Sequence, residues 1–139
     1  MAKHYYVADL EFACEEIPIA IGNNKFQAQA PYDGEILGSA QAPKASGVIL
    51  NAGTGAGTST EVQVHNIDQG RDYFTVLPEY RVDDKDAQNR APLVGGVLGT
   101  RPSFRQGEWL RLDVDTIPGG GDSAQLVLKL TCGFWREVA

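Results

Sequence analysis

The chain is poor in the residues that usually carry site chemistry: its 139 positions hold two cysteines, two histidines, two tryptophans and one methionine. A structural zinc site takes three or four Cys or His ligands, often locally paired. Here His4, Cys14, His65 and Cys132 are scattered singly, so no metal centre is expected. A bridge between Cys14 and Cys132 would close nearly the whole chain, and in a reducing compartment the two read as free, half-buried thiols. No run approaches the roughly 18 apolar residues of a membrane span. The opening MAKHYYVADLEF has neither the apolar stretch nor the cleavage site of a secretory signal, so the expectation is a chain made in a cytoplasm that enters no membrane. Positive charge is also scarce. Twelve Lys and Arg stand against 18 Asp and Glu, a net charge of −6, which is the wrong sign for a phosphate backbone and excludes a nucleic-acid partner from the reading. The closest basic group, Arg101, Arg105 and Arg111, reads as solvated strand ends.

Turn formers are plentiful, with 16 Gly and 7 Pro, and 42% of the residues are hydrophobic, enough for one packed core. The clearest periodicity lies in residues 108–117, where Leu110, Leu112 and Val114 alternate with Trp109, Arg111, Asp113 and Asp115: a strand with one dry face. A turn around Pro118-Gly119-Gly120-Gly121 leads to residues 124–132, with Leu126, Leu128, Leu130 and Cys132 on one face, and the two segments read as an antiparallel hairpin. Residues 46–51 and 61–67, joined by a glycine-spaced loop, read as a second hairpin. Residues 73–82 follow as a strand that Pro78 pushes toward a bulge or the end of its sheet. Residues 4–14, 17–22 and 26–30 look extended, and Pro31-Tyr32-Asp33-Gly34 reads as a turn feeding residues 35–42.

No window shows a helical apolar stripe free of Gly or Pro, and the polar stretch from Asp83 to Ala91 reads as a loop or a single helical turn. Eight or nine strands at regular spacing predict an all-β protein: an antiparallel β-sandwich, with a jelly roll the leading topology. Residues 28–139 form the sandwich in this reading. Residues 1–27 supply an extended N-terminal arm and the first strands, within one domain overall.

Constellations that could carry chemistry resolve to blander readings. The loop Asn51 to Thr60 has the glycines of a phosphate cradle but no Lys, and a strand follows where a helix is needed. Asp113, Asp115 and Asp122 could converge on a hard cation, yet the ladder of oxygens that calcium takes is missing. Asp83, Asp84 and Asp86 have Lys85 and Arg90 beside them as compensation. Neither His4 nor His65 has a nucleophile placed by a motif, and no pair of acids is singled out for general acid–base work. No enzyme, cofactor or bound metal is therefore expected. The aromatics near the ends are more informative. Tyr5, Tyr6, Phe134 and Trp135 lie where chains fray unless something holds them, so together with Leu10 and Phe12 they form the candidate interface.

Two segments resemble a group of small structural proteins and fibre-domain modules of tailed bacteriophages. Residues Ala30-Pro31-Tyr32-Asp33-Gly34-Glu35-Ile36-Leu37 are similar to that group's P-[FY]-D-G-x-I strand. Residues 104–126, with Gly107-Glu108-Trp109-Leu110-Arg111-Leu112-Asp113-Val114-Asp115, are similar to its G-[DE]-x-L-x-[LV]-D-V-D segment. The likeness spans roughly residues 28 to 132. It departs from the group where a glycine-threonine loop replaces the usual Asn-Gly hairpin, and residues 1–27 have no counterpart. It implies a jelly roll in a virion. The small size favours a head decoration (cement) protein on the capsid surface, often a trimer, with the major capsid protein as partner. The alternative is a receptor- or glycan-binding tip module of a tail fibre.

Overall fold

The computed structural model describes residues 2–14, 16, 19–38, 44–50, 60–117 and 126–138. Twelve strands follow in chain order: β1 (Ala2–Cys14), β2 (Gly22–Gln29), β3 (Asp33–Ile36), β4 (Gly47–Leu50), β5 (Thr60–Asn66), β6 (Arg71–Asp72), β7 (Phe74–Tyr80), β8 (Arg90–Pro92), β9 (Val94–Leu98), β10 (Ser103–Phe104), β11 (Trp109–Thr116) and β12 (Leu126–Val138). Between β7 and β8 the stretch expected as a loop or helical turn holds a short 3-10 turn, Val82–Asp84. The strands form two antiparallel sheets. One runs β10–β3–β12–β4–β8 with β1 along the other side of β12, and the second runs β2–β11–β5–β7–β9 with β6 attached to β5. The main strands pair first with last (β1–β12–β4–β8) and second with penultimate (β2–β11–β5–β7), the nesting of a jelly roll.

Alternation decides what lies between the sheets. Leu110, Leu112 and Val114 of β11 with Val62 and Val64 of β5 face Leu126, Leu128, Leu130 and Cys132 of β12, Ile49 of β4 and Phe12 of β1, all 2% exposed or less. The expected hairpins are corrected here. β11 and β12 belong to different sheets, as do β4 and β5. Each strand has one dry face that needs an opposing layer. Placing consecutive strands in opposite sheets lays the dry faces on each other, whereas a hairpin would set them side by side and still uncovered. The two connecting segments, 118–125 and 51–59, lie outside the described residues.

Other departures are local. β7 is not the end of its sheet, because β9 pairs beyond it. Its ladder to β5 is confined to Thr60–Tyr80 and Glu61–Glu79, so Pro78, which has no N–H, sits just past it. Further along the gap the Gln63 side chain serves as a substitute strand. Its Nε2 donates to Phe74 O at 2.9 Å and its Oε1 accepts from Phe74 N at 3.0 Å. Ile19 to Ile21 are not in a strand, although Ile19 is buried. β3 begins at Asp33, inside the expected turn.

The segment read as an N-terminal arm is β1. It is extended, and it pairs with β12 without a break from Ala2–Val138 to Cys14–Leu126, so the two ends of the chain share one ladder. At the end of the sandwich beside β6 and β10, buried Asn66 gathers three loops. Its Nδ2 donates to Tyr73 Oη at 2.8 Å, its Oδ1 accepts from Gln69 N at 2.9 Å, and Gln69 Nε2 donates to Glu108 Oε1 at 2.8 Å.

Candidate functional site: an aromatic face on the terminal strand pair

Three apolar residues in a row, Tyr5-Tyr6-Val7, defeat the period of two, so a strand through them must show a large apolar side chain on each face. β1 does so. Tyr6 turns inward, where its ring lies 5.3 Å from Phe134 and 6.1 Å from Tyr32, and Phe134 packs on Phe104 at 5.6 Å. Tyr5 and Val7 turn outward beside Trp135, and the three are 45%, 55% and 48% exposed. The Tyr5 and Trp135 rings meet at 4.8 Å with planes 52° apart. Gly133, opposite Val7, makes the seat: a Cβ there would run into the Tyr5 ring, which lies flat on the strand only because that side chain is missing.

Trp135 also borders a hollow of about 320 Å³ with Asp33, Glu35, Ser103, Phe104 and Arg105. Asp33 closes its rim, with Oδ1 accepting from Gln106 N at 2.8 Å and Oδ2 3.9 Å from Lys3 Nζ. The arrangement offers two exposed rings and an aliphatic side chain beside carboxylates and a guanidinium. That is a surface for stacking and hydrogen bonding, held on a regular strand pair with an inner aromatic layer behind it.

Against protein-family models, curated proteins and solved structures, the chain finds no match.

Of the six residues read as an interface, the structure leaves Tyr5 and Trp135 on the surface. Tyr6 and Leu10 are half-buried against the core, and Phe12 and Phe134 are fully within it. Their even numbering puts these four on the dry face of β1 and β12, so the core takes the surface that a partner would need. Sequence reading missed Gly133, Asp33 and Glu35. Only the pairing of β12 with β1 on one side and β3 on the other brings them to Trp135.

The remaining candidates are spent on structure. Asp113 is buried, and its Oδ1 accepts from Arg111 Nε and from Asn24 N, both at 2.9 Å, whereas Asp115 is exposed. Asp122 lies outside the described residues, and among those described no His, Cys, Asp and Glu group could hold a metal ion. His65 Nδ1 lies 2.8 Å from Asp72 Oδ1, and His4 sits opposite Arg136 on the outermost part of β1. Asp86 is an exposed turn cap. The backbone N–H of Arg90 first, and that of Gln88 with the Arg90 guanidinium after it, hold its carboxyl below the usual range. Arg101 borders a separate groove of about 680 Å³ with Glu35, Arg71 and Thr75, where Arg71 is tied to Ser103 O at 2.9 Å. Cys14 and Cys132 are free and buried, and burial pushes the Cys132 thiol up to about 12.

Proposed function

We propose that this chain is a virion structural protein of the decoration (cement) type, bound to the outer surface of a phage head with the major capsid protein as its partner. The reading joins the resemblance of residues 28–132 to one observation, the exposed Tyr5–Val7–Trp135 face on a strand pair of unbroken register. Such a protein does no chemistry. It binds the assembled shell and not the dissociated subunits, so each bound copy stabilises the shell by mass action. Trp and Tyr are the side chains that dominate such contacts, and truncating an anchor costs on the order of 2 kcal/mol or more, roughly thirtyfold in Kd. Cryo-EM of virions purified from the source of this sequence tests the proposal. Density for the chain on the head surface is expected, with occupancy falling at least tenfold in the Tyr5→Ala, Trp135→Ala double variant. Virions lacking the chain would end it.

A second reading has its own observation. Trp135 beside Asp33 and Glu35 in one hollow is the combination of a ring and carboxylates that receives a sugar, which favours a glycan-binding tip module of a tail fibre. Density at a fibre tip, with glycan-array hits lost on Trp135→Ala, would favour it over the head.

A further inference from the structure

Open sheet edges are normally blunted, and all but one of the edges described here are. β8 and β10 are three and two residues long. β2 carries Asn24 at φ 60° and a register shift against β11. β9 carries Gly95 and Gly96 at φ 73° and 69°, and its register against β7 also shifts. β1 has none of these devices. It is 13 residues long, contains no Pro, keeps one register throughout and, among the described residues, pairs on one side only. An edge like this is a template for another strand.

The ladder shows which groups it offers. Thr131 of β12 donates its N–H to Ser46 O and accepts from Leu37 N, so the odd-numbered residues of β12 bond toward β3 and β4 and the even-numbered ones toward β1. Even β1 residues are therefore consumed by β12, and the N–H and C=O of Lys3, Tyr5, Val7, Asp9 and Glu11 point outward. Those five side chains are exposed. Ala13, the next residue whose backbone points outward, is half-buried, so the open window is 3–11, centred on Val7.

The window is complementary to itself. When two copies run antiparallel about a two-fold axis at Val7, Lys3 of each faces Glu11 of the other, Tyr5 faces Asp9 and Val7 faces Val7. Each charge pair then occurs twice. Moving the register by one pleat either sets Lys3 opposite Ala13, or sets Lys3 opposite Asp9 and leaves Glu11 without a partner in the window; only the register centred on Val7 uses Glu11 against Lys3. We propose that β1 joins two copies of this chain edge to edge in this register, fusing their first sheets into one. The inference stands apart from what the outer face adheres to.

Sedimentation equilibrium of the full chain tests it, with a concentration-dependent dimer expected. Val7→Pro deletes an N–H that points away from β12, a position where edge strands tolerate Pro, so the variant should sediment as a monomer with an unchanged β circular dichroism spectrum. Should that variant fail to fold, charge exchange decides. Lys3→Glu and Glu11→Lys should each weaken the dimer about tenfold, and the two together should restore it. Val7→Cys should give a disulfide-linked dimer on mild oxidation, because a residue on the axis meets itself at about 5.5 Å between Cα atoms. Tyr5→Cys, which faces Asp9, should not. A monomer at all concentrations, a trimer, or a dimer indifferent to both charge reversals would overturn the proposal.

Discussion

Phe12→Ala separates a strand that belongs to the core from an arm that lies on it. Phe12 is 0% exposed, sits two residues from the end of β1, and packs edge-on against Phe26 of β2 at 6.4 Å and 80°. Cutting a buried Phe back to Ala loses its transfer free energy and leaves a cavity, about 3–5 kcal/mol together. A domain of this kind has about 5–15 kcal/mol in all. With a urea slope of about 2 kcal/mol per molar, the midpoint should fall by roughly 2 M. Val7→Ala on the same strand, at a side chain 55% exposed, is the control and, in solutions dilute enough for the chain to be monomeric, should stay within about 0.5 kcal/mol. Paired urea titrations followed by tryptophan fluorescence and circular dichroism measure both. If Phe12→Ala moved the midpoint no more than Val7→Ala does, residues 2–14 would not be holding the core closed, and the structural reasoning would fail.

Asn66→Ala removes the acceptor of Gln69 N and the donor to Oη of buried Tyr73. It should cost about 2 kcal/mol and lower Tm by several degrees, and an unchanged melt would refute the brace. Cys132, whose thiol burial pushes up to about 12, should resist alkylation at pH 8 until denaturant is added. Oxidation should not link it to Cys14. Cys132 lies opposite Ala8 and Cys14 opposite Leu126, six residues along the same ladder and roughly 20 Å apart, and a bridged species by intact mass would contradict the register. For Asp86 the folded pKa is depressed, chiefly by the Arg90 backbone N–H. Its contribution is therefore present above the ordinary carboxylate range and is lost as pH falls through the depressed value. Protection of the Gln88 and Arg90 amides, taken relative to their intrinsic exchange, should fall as pH drops through that depressed value in the native chain, and Asp86→Asn should remove that acid dependence.

Alternation made several strands legible in the sequence, because it reports which side chains face a core. Val62 and Val64, or Leu110, Leu112 and Val114, could occupy no other geometry so economically. Alternation says nothing about which strand lies alongside. The neighbours in a jelly roll are distant in sequence, and the ladder joining Cys14 to Leu126 has no local signal. Adjacent strands therefore read as hairpins where they in fact belong to different sheets. β6, β8 and β10 were invisible for another reason: two or three residues cannot display a period. The site was half legible. Tyr5 and Trp135 stood out as aromatics near the ends, and the doubled Tyr5-Tyr6 already implied one ring on each face. The carboxylates beside Trp135 come from β3, which only the sheet order places there.

Residue-resolved amide exchange along β1, at a concentration where the chain is monomeric, tests most directly whether this strand is built into the sheet with one edge left open for adhesion. The account predicts an alternation: amides of Tyr6, Ala8, Leu10 and Phe12 slow, because they bond to β12, and those of Tyr5, Val7 and Asp9 fast until a partner covers them. Uniformly fast exchange from residue 2 to residue 14 would contradict it.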